Sequence, residues 1–112
     1  EAEHVAASRE EGWTTKRHNN YATTDIPIVD LPRSKAWFLD QLQVKVLPFL
    51  AQCFPRACES PDDFRIFDVF VVKYNASGGQ SVLQNHRDGS LISINIALNP
   101  SECFVGGGTW IA

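Results

Sequence analysis

A histidine and an aspartate two residues apart, His86 and Asp88, form the motif of this sequence best suited to chemistry. In extended backbone, residues i and i+2 point to the same side, so the imidazole and the carboxylate can converge on one point. They supply two of the three ligands of the two-histidine, one-carboxylate facial triad, which holds iron(II) and leaves its opposite face open. The H-x-D pattern is short and also fits an ion pair in a surface loop, so the motif alone does not distinguish a metal site from an ion pair.

The same letters, His86-Arg87-Asp88, also begin the catalytic loop of protein kinases. That loop requires Leu directly after the aspartate and Asn five residues beyond the aspartate. Here these positions hold Gly89 and Ser93, and the sequence has neither a G-x-G-x-x-G loop before the motif nor Asp-Phe-Gly after it. The kinase interpretation is therefore excluded.

The elements that must position this motif begin with helical patterns. Residues 6–11 favour a short helix that Gly12 ends, and residues 25–30 fit one short strand or an extended edge. Ser34 is a suitable N-cap for a longer helix. Apolar residues recur near helical spacing from Trp37 to Leu50, and Pro48 is expected to kink or restart this helix.

The second half of the chain changes to strand patterns. Arg65–Tyr74 is β-branched and aromatic and predicts a strand, followed by a turn, a second extended segment at 80–87 and a further strand from Gly108. Leu91–Asn99 is the clearest strand pattern: Ile and Leu occupy one face, and Ser93, Asn95 and Ala97 occupy the other. Small residues on that second face indicate a lined cavity. The order of elements predicts an α+β fold with helices first and an antiparallel sheet packed on them.

The composition limits the class of protein. The chain has 112 residues, with 44% hydrophobic and 21% charged residues, which is typical of one modest globular domain. A net charge of −3 weighs against a nucleic-acid partner, and no apolar run is long enough to predict a membrane span. Three cysteines fit no zinc motif and leave a Cys53–Cys58 disulfide open. The sequence has no Met and stops in a strand-like run, so we expect a fragment, and its compartment stays open.

Four short motifs occur in order after residue 65: VVKY at 71–74, HRD at 86–88, INIALN at 94–99 and GGGTW at 106–110. With this spacing, the sequence resembles the 2-oxoglutarate- and iron(II)-dependent oxygenases of the prolyl 4-hydroxylase and procollagen lysyl hydroxylase group. The run SINIALN is most similar to the lysyl hydroxylase branch. The resemblance covers residues 65–112, less than half of the chain.

This resemblance implies a fold and a site. Residues 1–64 would be an N-terminal helical and extended support region, and residues 65–112 the first half of a double-stranded β-helix, or jelly roll, whose C-terminal strands are missing. His86 and Asp88 would bind Fe(II), the Tyr74 hydroxyl would contact 2-oxoglutarate, and Ser93 and Asn95 would line the cosubstrate pocket. The distal histidine and the basic residue that clamps 2-oxoglutarate would lie beyond residue 112.

The implied activity is hydroxylation of a prolyl or lysyl side chain in a protein or peptide substrate. Succinate and CO2 would be co-products and L-ascorbate the reductant, and the fragment alone would be inactive. Metal ligation requires a neutral imidazole, so acid would release the metal. Two alternatives stay open: a non-catalytic jelly-roll binding or scaffold module without a complete metal triad, and a cupin-like metal enzyme that does not use 2-oxoglutarate.

Overall fold

Two short strands far apart in sequence form the sheet of this protein. The computed structural model describes residues 1–111. Strand β1, Asp25–Pro27, pairs antiparallel with β2, Phe70–Val72, with Ile26 opposite Val71. Hydrogen bonds from the Ile28 amide to the Val69 carbonyl (2.9 Å) and from the Lys73 amide to the Thr24 carbonyl (2.8 Å) extend the pairing at both ends. On the other edge of β1, Thr14 forms an isolated antiparallel bridge with Asp25.

The N-terminal helix packs on this sheet and encloses the core. Helix α1, Ala2–Ala7, is one turn earlier than the helix expected at 6–11. It ends there because the Ser8 hydroxyl donates to the Val5 carbonyl (2.8 Å) and competes with the helical backbone. Gly12 follows with a φ of 63°, the left-handed conformation that glycine adopts without steric cost. The core consists of Ala6, Ile26 and Leu31, flanked by partly buried side chains of Ala2, Val5, Trp13, Ile28 and Val71.

The longer helix is interrupted near Pro48, as its sequence predicts. Helix α2 runs from Pro32 to Gln41, a π-helical turn occupies Leu42–Val46, and helix α3 runs from Leu47 to Cys53. Pro48 has no N–H to donate to the Val44 carbonyl, and its ring would collide with that carbonyl in a regular α-helix. The wider turn just before the proline relieves this conflict.

The predicted N-cap of this helix is wrong. Helix α2 begins at Pro32, three residues before the start that a Ser34 cap implies, because proline is favoured in the first helical position. Ser34 therefore lies within the first turn. The carboxylate of Glu1 takes the place of the cap: it accepts hydrogen bonds from the amides of Arg33 (3.0 Å) and Ser34 (2.6 Å) and from the Ser34 hydroxyl (2.7 Å).

Most of the predicted strands do not form. Of Arg65–Tyr74 only β2 is a strand, and within the described residues 80–111 there is no strand, although Gln80 bridges Asn75. Leu91–Asn99 has a strand pattern but finds no backbone hydrogen-bond partner among residues 1–111. A strand exists only as part of a ladder, which explains the difference. The strand predicted from Gly108 includes Ala112, which lies outside the described residues.

The described chain is therefore a small α+β structure with helices and a two-stranded antiparallel sheet. Its remaining elements are single 3-10 turns at Ile28–Asp30, Pro61–Asp63, Ala76–Gly78 and Ser101–Cys103. Ile94 and Ile96 still share one face, since both line a shallow apolar groove of about 420 Å³ with Val46, Phe49 and Leu50. All three cysteines are free thiols. Across residues 1–111, no helix is both long and apolar enough to span a membrane.

Candidate functional site

The imidazole of His86 is fixed by the backbone two residues before it. Its Nδ1 lies 2.7 Å from the carbonyl oxygen of Gln84. A carbonyl can only accept, so Nδ1 carries the proton and donates this hydrogen bond. In the neutral ring, Nε2 is then left with its lone pair available. This is the arrangement typical of metal-binding histidines, in which the second ring nitrogen donates to a carbonyl and fixes the tautomer.

The carboxylate of Asp88 lies directly beside this free nitrogen. Nε2 of His86 and Oδ1 of Asp88 are 3.1 Å apart, so the structure brings the two ends of the H-x-D motif to one point. The His86 side chain is 26% exposed and that of Asp88 is 48% exposed. With the ring neutral, two lone-pair donors face each other, and their mutual repulsion is relieved only by a cation or by a proton on Nε2.

This pair fits a divalent metal in both chemistry and spacing. Metal bonds to histidine nitrogen and carboxylate oxygen are about 2.1 Å long, so adjacent ligands of an octahedral ion lie about 3.0 Å apart. The observed separation of 3.1 Å matches that value, and it is also the length of an ordinary N–H···O hydrogen bond from a protonated Nε2. His86 and Asp88 could therefore hold two adjacent positions of one ion. Residues 1–111 contain no group of three or more His, Cys, Asp or Glu side chains placed to bind a metal.

A tyrosine from the N-terminal half forms one side of this pair. The ring centroid of Tyr21 lies 4.9 Å from that of His86, and the two ring planes are inclined by 31°. Sequence reasoning missed Tyr21 because 65 positions separate it from His86, and no spacing rule connects them. Its only signal is an aromatic ring within a polar segment, His18 to Thr24, that carries no apolar pattern of its own.

A buried ion-pair network holds the segment that carries Tyr21. Asp25 is fully buried and accepts hydrogen bonds from Arg17 Nη1 (2.7 Å) and from the Thr23 hydroxyl. The same guanidinium donates through Nη2 to both carboxylate oxygens of Asp68, at 3.0 and 2.9 Å. It also lies 5.1 Å from the ring centroid of Phe70, a cation–π distance.

The protonation of Arg17 reflects this network. Burial favours the neutral form of the guanidinium, but the hydrogen bond and charge of Asp25 and the charge of Asp68 outweigh burial and raise the pKa of Arg17 above its usual value. A permanently charged Arg17 therefore clamps two carboxylates, one from each strand region of the sheet.

The other predicted site residues make no polar or ring contact with this pair within residues 1–111. Tyr74 follows β2 and is 53% exposed. Ser93 shares a hydrogen bond with Ser90, with 2.9 Å between the hydroxyl oxygens, and Asn95 is exposed. Among residues 1–111, no hydrogen bond, ion pair or ring contact connects Tyr74, Ser93 or Asn95 to His86 or Asp88. A shared pocket for the five residues stays a prediction.

Comparison with known proteins adds no relative to this description. No protein-family model matches the sequence, and searches of curated proteins and of solved structures also found no match.

Proposed function

We propose that this chain contains part of the catalytic core of an iron(II)- and 2-oxoglutarate-dependent dioxygenase with a jelly-roll fold. The reaction would hydroxylate a prolyl or lysyl side chain of a protein or peptide substrate, with succinate and CO2 as co-products and L-ascorbate as reductant. The observation that carries the proposal is the 3.1 Å approach of His86 Nε2 to Asp88 Oδ1, with Nδ1 already bonded to the Gln84 carbonyl.

Each side chain would have a separate role in the site. His86 presents a nitrogen lone pair and Asp88 a negative oxygen, so that together they would hold Fe(II), which supplies the oxidising chemistry when bound. The Tyr74 hydroxyl would donate to a carboxylate of 2-oxoglutarate, and Ser93 and Asn95 would line the same pocket. The exposed side of the pair leaves room for a cosubstrate, since about half of the Asp88 side chain is open to solvent.

Metal binding by the 112-residue chain tests the first part of this proposal. Zn(II) is a suitable probe because it is diamagnetic and redox-inert. In a titration followed by NMR, the ring protons of His86 should shift before those of His4 and His18. His86→Ala and Asp88→Asn should each weaken binding at least about tenfold, while His4→Gln should leave it unchanged. Equal binding by wild type and both site variants would overturn the proposed metal site.

The proposed activity requires a distal histidine and a basic residue after Ala112, and turnover by a protein that carries them tests the second part. We expect succinate formation that depends on 2-oxoglutarate and Fe(II) and that His86→Ala abolishes. Tyr74→Phe should raise the concentration of 2-oxoglutarate needed for half-maximal rate, because it removes one hydrogen bond. Metal binding without 2-oxoglutarate consumption would instead support the cupin-like enzyme. The absence of both metal binding and turnover would support the non-catalytic jelly-roll module.

A further inference from the structure

Tyr21 occupies a fixed position because the segment that carries it is held at both ends. On one side Arg17 bonds to Asp25, and on the other the Thr23 hydroxyl bonds to the same buried carboxylate. Between them, the Ala22 carbonyl accepts a hydrogen bond from Gln80 Nε2 (3.0 Å). The loop is therefore tied both to the sheet and to the segment that leads toward His86.

The ring of Tyr21 packs against the His86 imidazole. The two centroids are 4.9 Å apart, and the planes are inclined by 31°. Turning the imidazole about its Cβ–Cγ bond would change this inclination and would also move Nδ1 away from the Gln84 carbonyl. The Gln84 carbonyl holds Nδ1 at 2.7 Å, so Tyr21 and this carbonyl both favour the same orientation of the ring.

The contact uses the ring and not the hydroxyl. The hydrogen bonds found among residues 1–111 include none from the Tyr21 hydroxyl, and the side chain is 39% exposed. A phenyl ring should therefore serve as well as a phenol ring. This property separates a stacking role from a role in proton transfer or ligand hydrogen bonding.

We infer that Tyr21 is a positioning residue of the metal site, which directs Nε2 of His86 toward Asp88 by stacking on the imidazole. The inference rests on the proposed function, since it concerns the same two ligands. It assigns a function in the site to the N-terminal segment 17–25, which lies outside the motifs that suggested the activity. Residues that orient a metal ligand typically contribute a factor of about 10 to 100 in affinity.

The test compares three variants of the 112-residue chain in the Zn(II) titration. Tyr21→Ala should weaken Zn(II) binding at His86 about tenfold, and Tyr21→Phe should restore wild-type affinity. Phe67→Ala is the matched control, because it removes another exposed ring, 82% accessible, and should change nothing. In the metal-free protein, the ring protons of His86 should lose the ring-current shift of Tyr21 in Tyr21→Ala alone.

The outcomes separate this inference from the proposed function. If His86→Ala and Asp88→Asn weaken binding while Tyr21→Ala binds like wild type, the metal site stands and the positioning role is overturned. If neither ligand variant changes binding, the proposed function itself fails. If Tyr21→Phe is as weak as Tyr21→Ala, the hydroxyl and not the stack is responsible, and the inference is wrong. Circular dichroism of each variant confirms that the fold is retained.

Discussion

At the scale of single residues, the feature that most needs stabilising partners is the buried carboxylate of Asp25. Its side chain has no solvent contact, and removing a charge from water costs several kcal/mol unless partners replace the lost hydration. Arg17 and Thr23 provide those partners. The same guanidinium reaches Asp68 beside β2, so one side chain joins the loop that carries Tyr21 to the sheet.

Replacing Arg17 should therefore be costly. Arg17→Met keeps much of the side-chain volume but leaves Asp25 buried without its charged partner. We expect the free energy of unfolding, measured by urea denaturation, to fall by about 2–3 kcal/mol, somewhat less than for a fully buried pair because Arg17 is 25% exposed. Arg9→Met is the matched control.

The Arg9–Asp30 pair spans 3.2 Å, with both side chains partly exposed, so its loss should cost no more than about 1 kcal/mol. Adding Asp25→Asn to Arg17→Met should recover part of the lost stability, since the unpaired charge is then gone. Equal small losses for Arg17→Met and Arg9→Met would contradict this account of the network.

At the scale of elements, the beginning of helix α2 depends on a residue from another part of the chain. The Glu1 carboxylate satisfies amides that the first turn leaves without partners and lies at the positive end of the helix dipole. The hydrogen bond from the Ser34 hydroxyl and those from the Ser34 and Arg33 amides outweigh desolvation and lower the pKa of Glu1 from its usual 4.5.

This shift predicts an acid-sensitive contribution to stability. A carboxyl group whose pKa is lower in the folded state stabilises the fold above its unfolded pKa and loses this effect as pH falls through its folded pKa. From about pH 5 to about pH 3, wild type should therefore lose more thermal stability than Glu1→Gln. Glu11→Gln, the control, should follow wild type. Parallel curves for wild type and Glu1→Gln would contradict the capping role.

Local patterns predicted the helices better than the strands, for a physical reason. Because a helix forms its hydrogen bonds within itself, the period of the apolar residues and Pro48 predicted a helix interrupted near Pro48, though neither its start at Pro32 nor the π turn. Leu91–Asn99 has an equally clear period, and Ile94 and Ile96 do line one groove, but a strand also needs a partner that its own sequence does not specify. The Glu1 cap and the Tyr21 contact are equally non-local, so no local spacing could reveal them. The H-x-D motif was visible because both of its members lie within three residues.

At the scale of the whole molecule, the chain exposes more surface and is more extended than a compact protein of the same length. A compact monomer of this mass exposes about 6,200 Å², whereas this chain exposes 9079 Å². Its radius of gyration is 15.5 Å, against about 13 Å for a compact domain of 112 residues. Large apolar side chains are exposed along the whole described chain, and after residue 90 Leu91, Leu98, Val105 and Trp110 are each more than half exposed.

Amide hydrogen exchange should be slower around the sheet than in residues 91–99, because exchange rates report the hydrogen bonding of each amide directly. The amides of Asp25, Ile28 and Lys73 donate to backbone carbonyls at 2.8–2.9 Å around the sheet, and we expect them to exchange at least about 100-fold more slowly than unstructured amides. The amides of residues 91–99 have no backbone acceptor among residues 1–111 and should exchange near the unprotected rate.

The proposed jelly roll requires further strands after Ala112, and the same measurement on a chain that carries them tests it. There, added strands should pair with 91–99, and alternate amides of this segment should become as slow as those around β1. Protection of 91–99 already in the 112-residue chain would contradict the open arrangement described here. Continued fast exchange in the longer chain would contradict the jelly roll, because the motif strand would then still lack the ladder that a sheet requires.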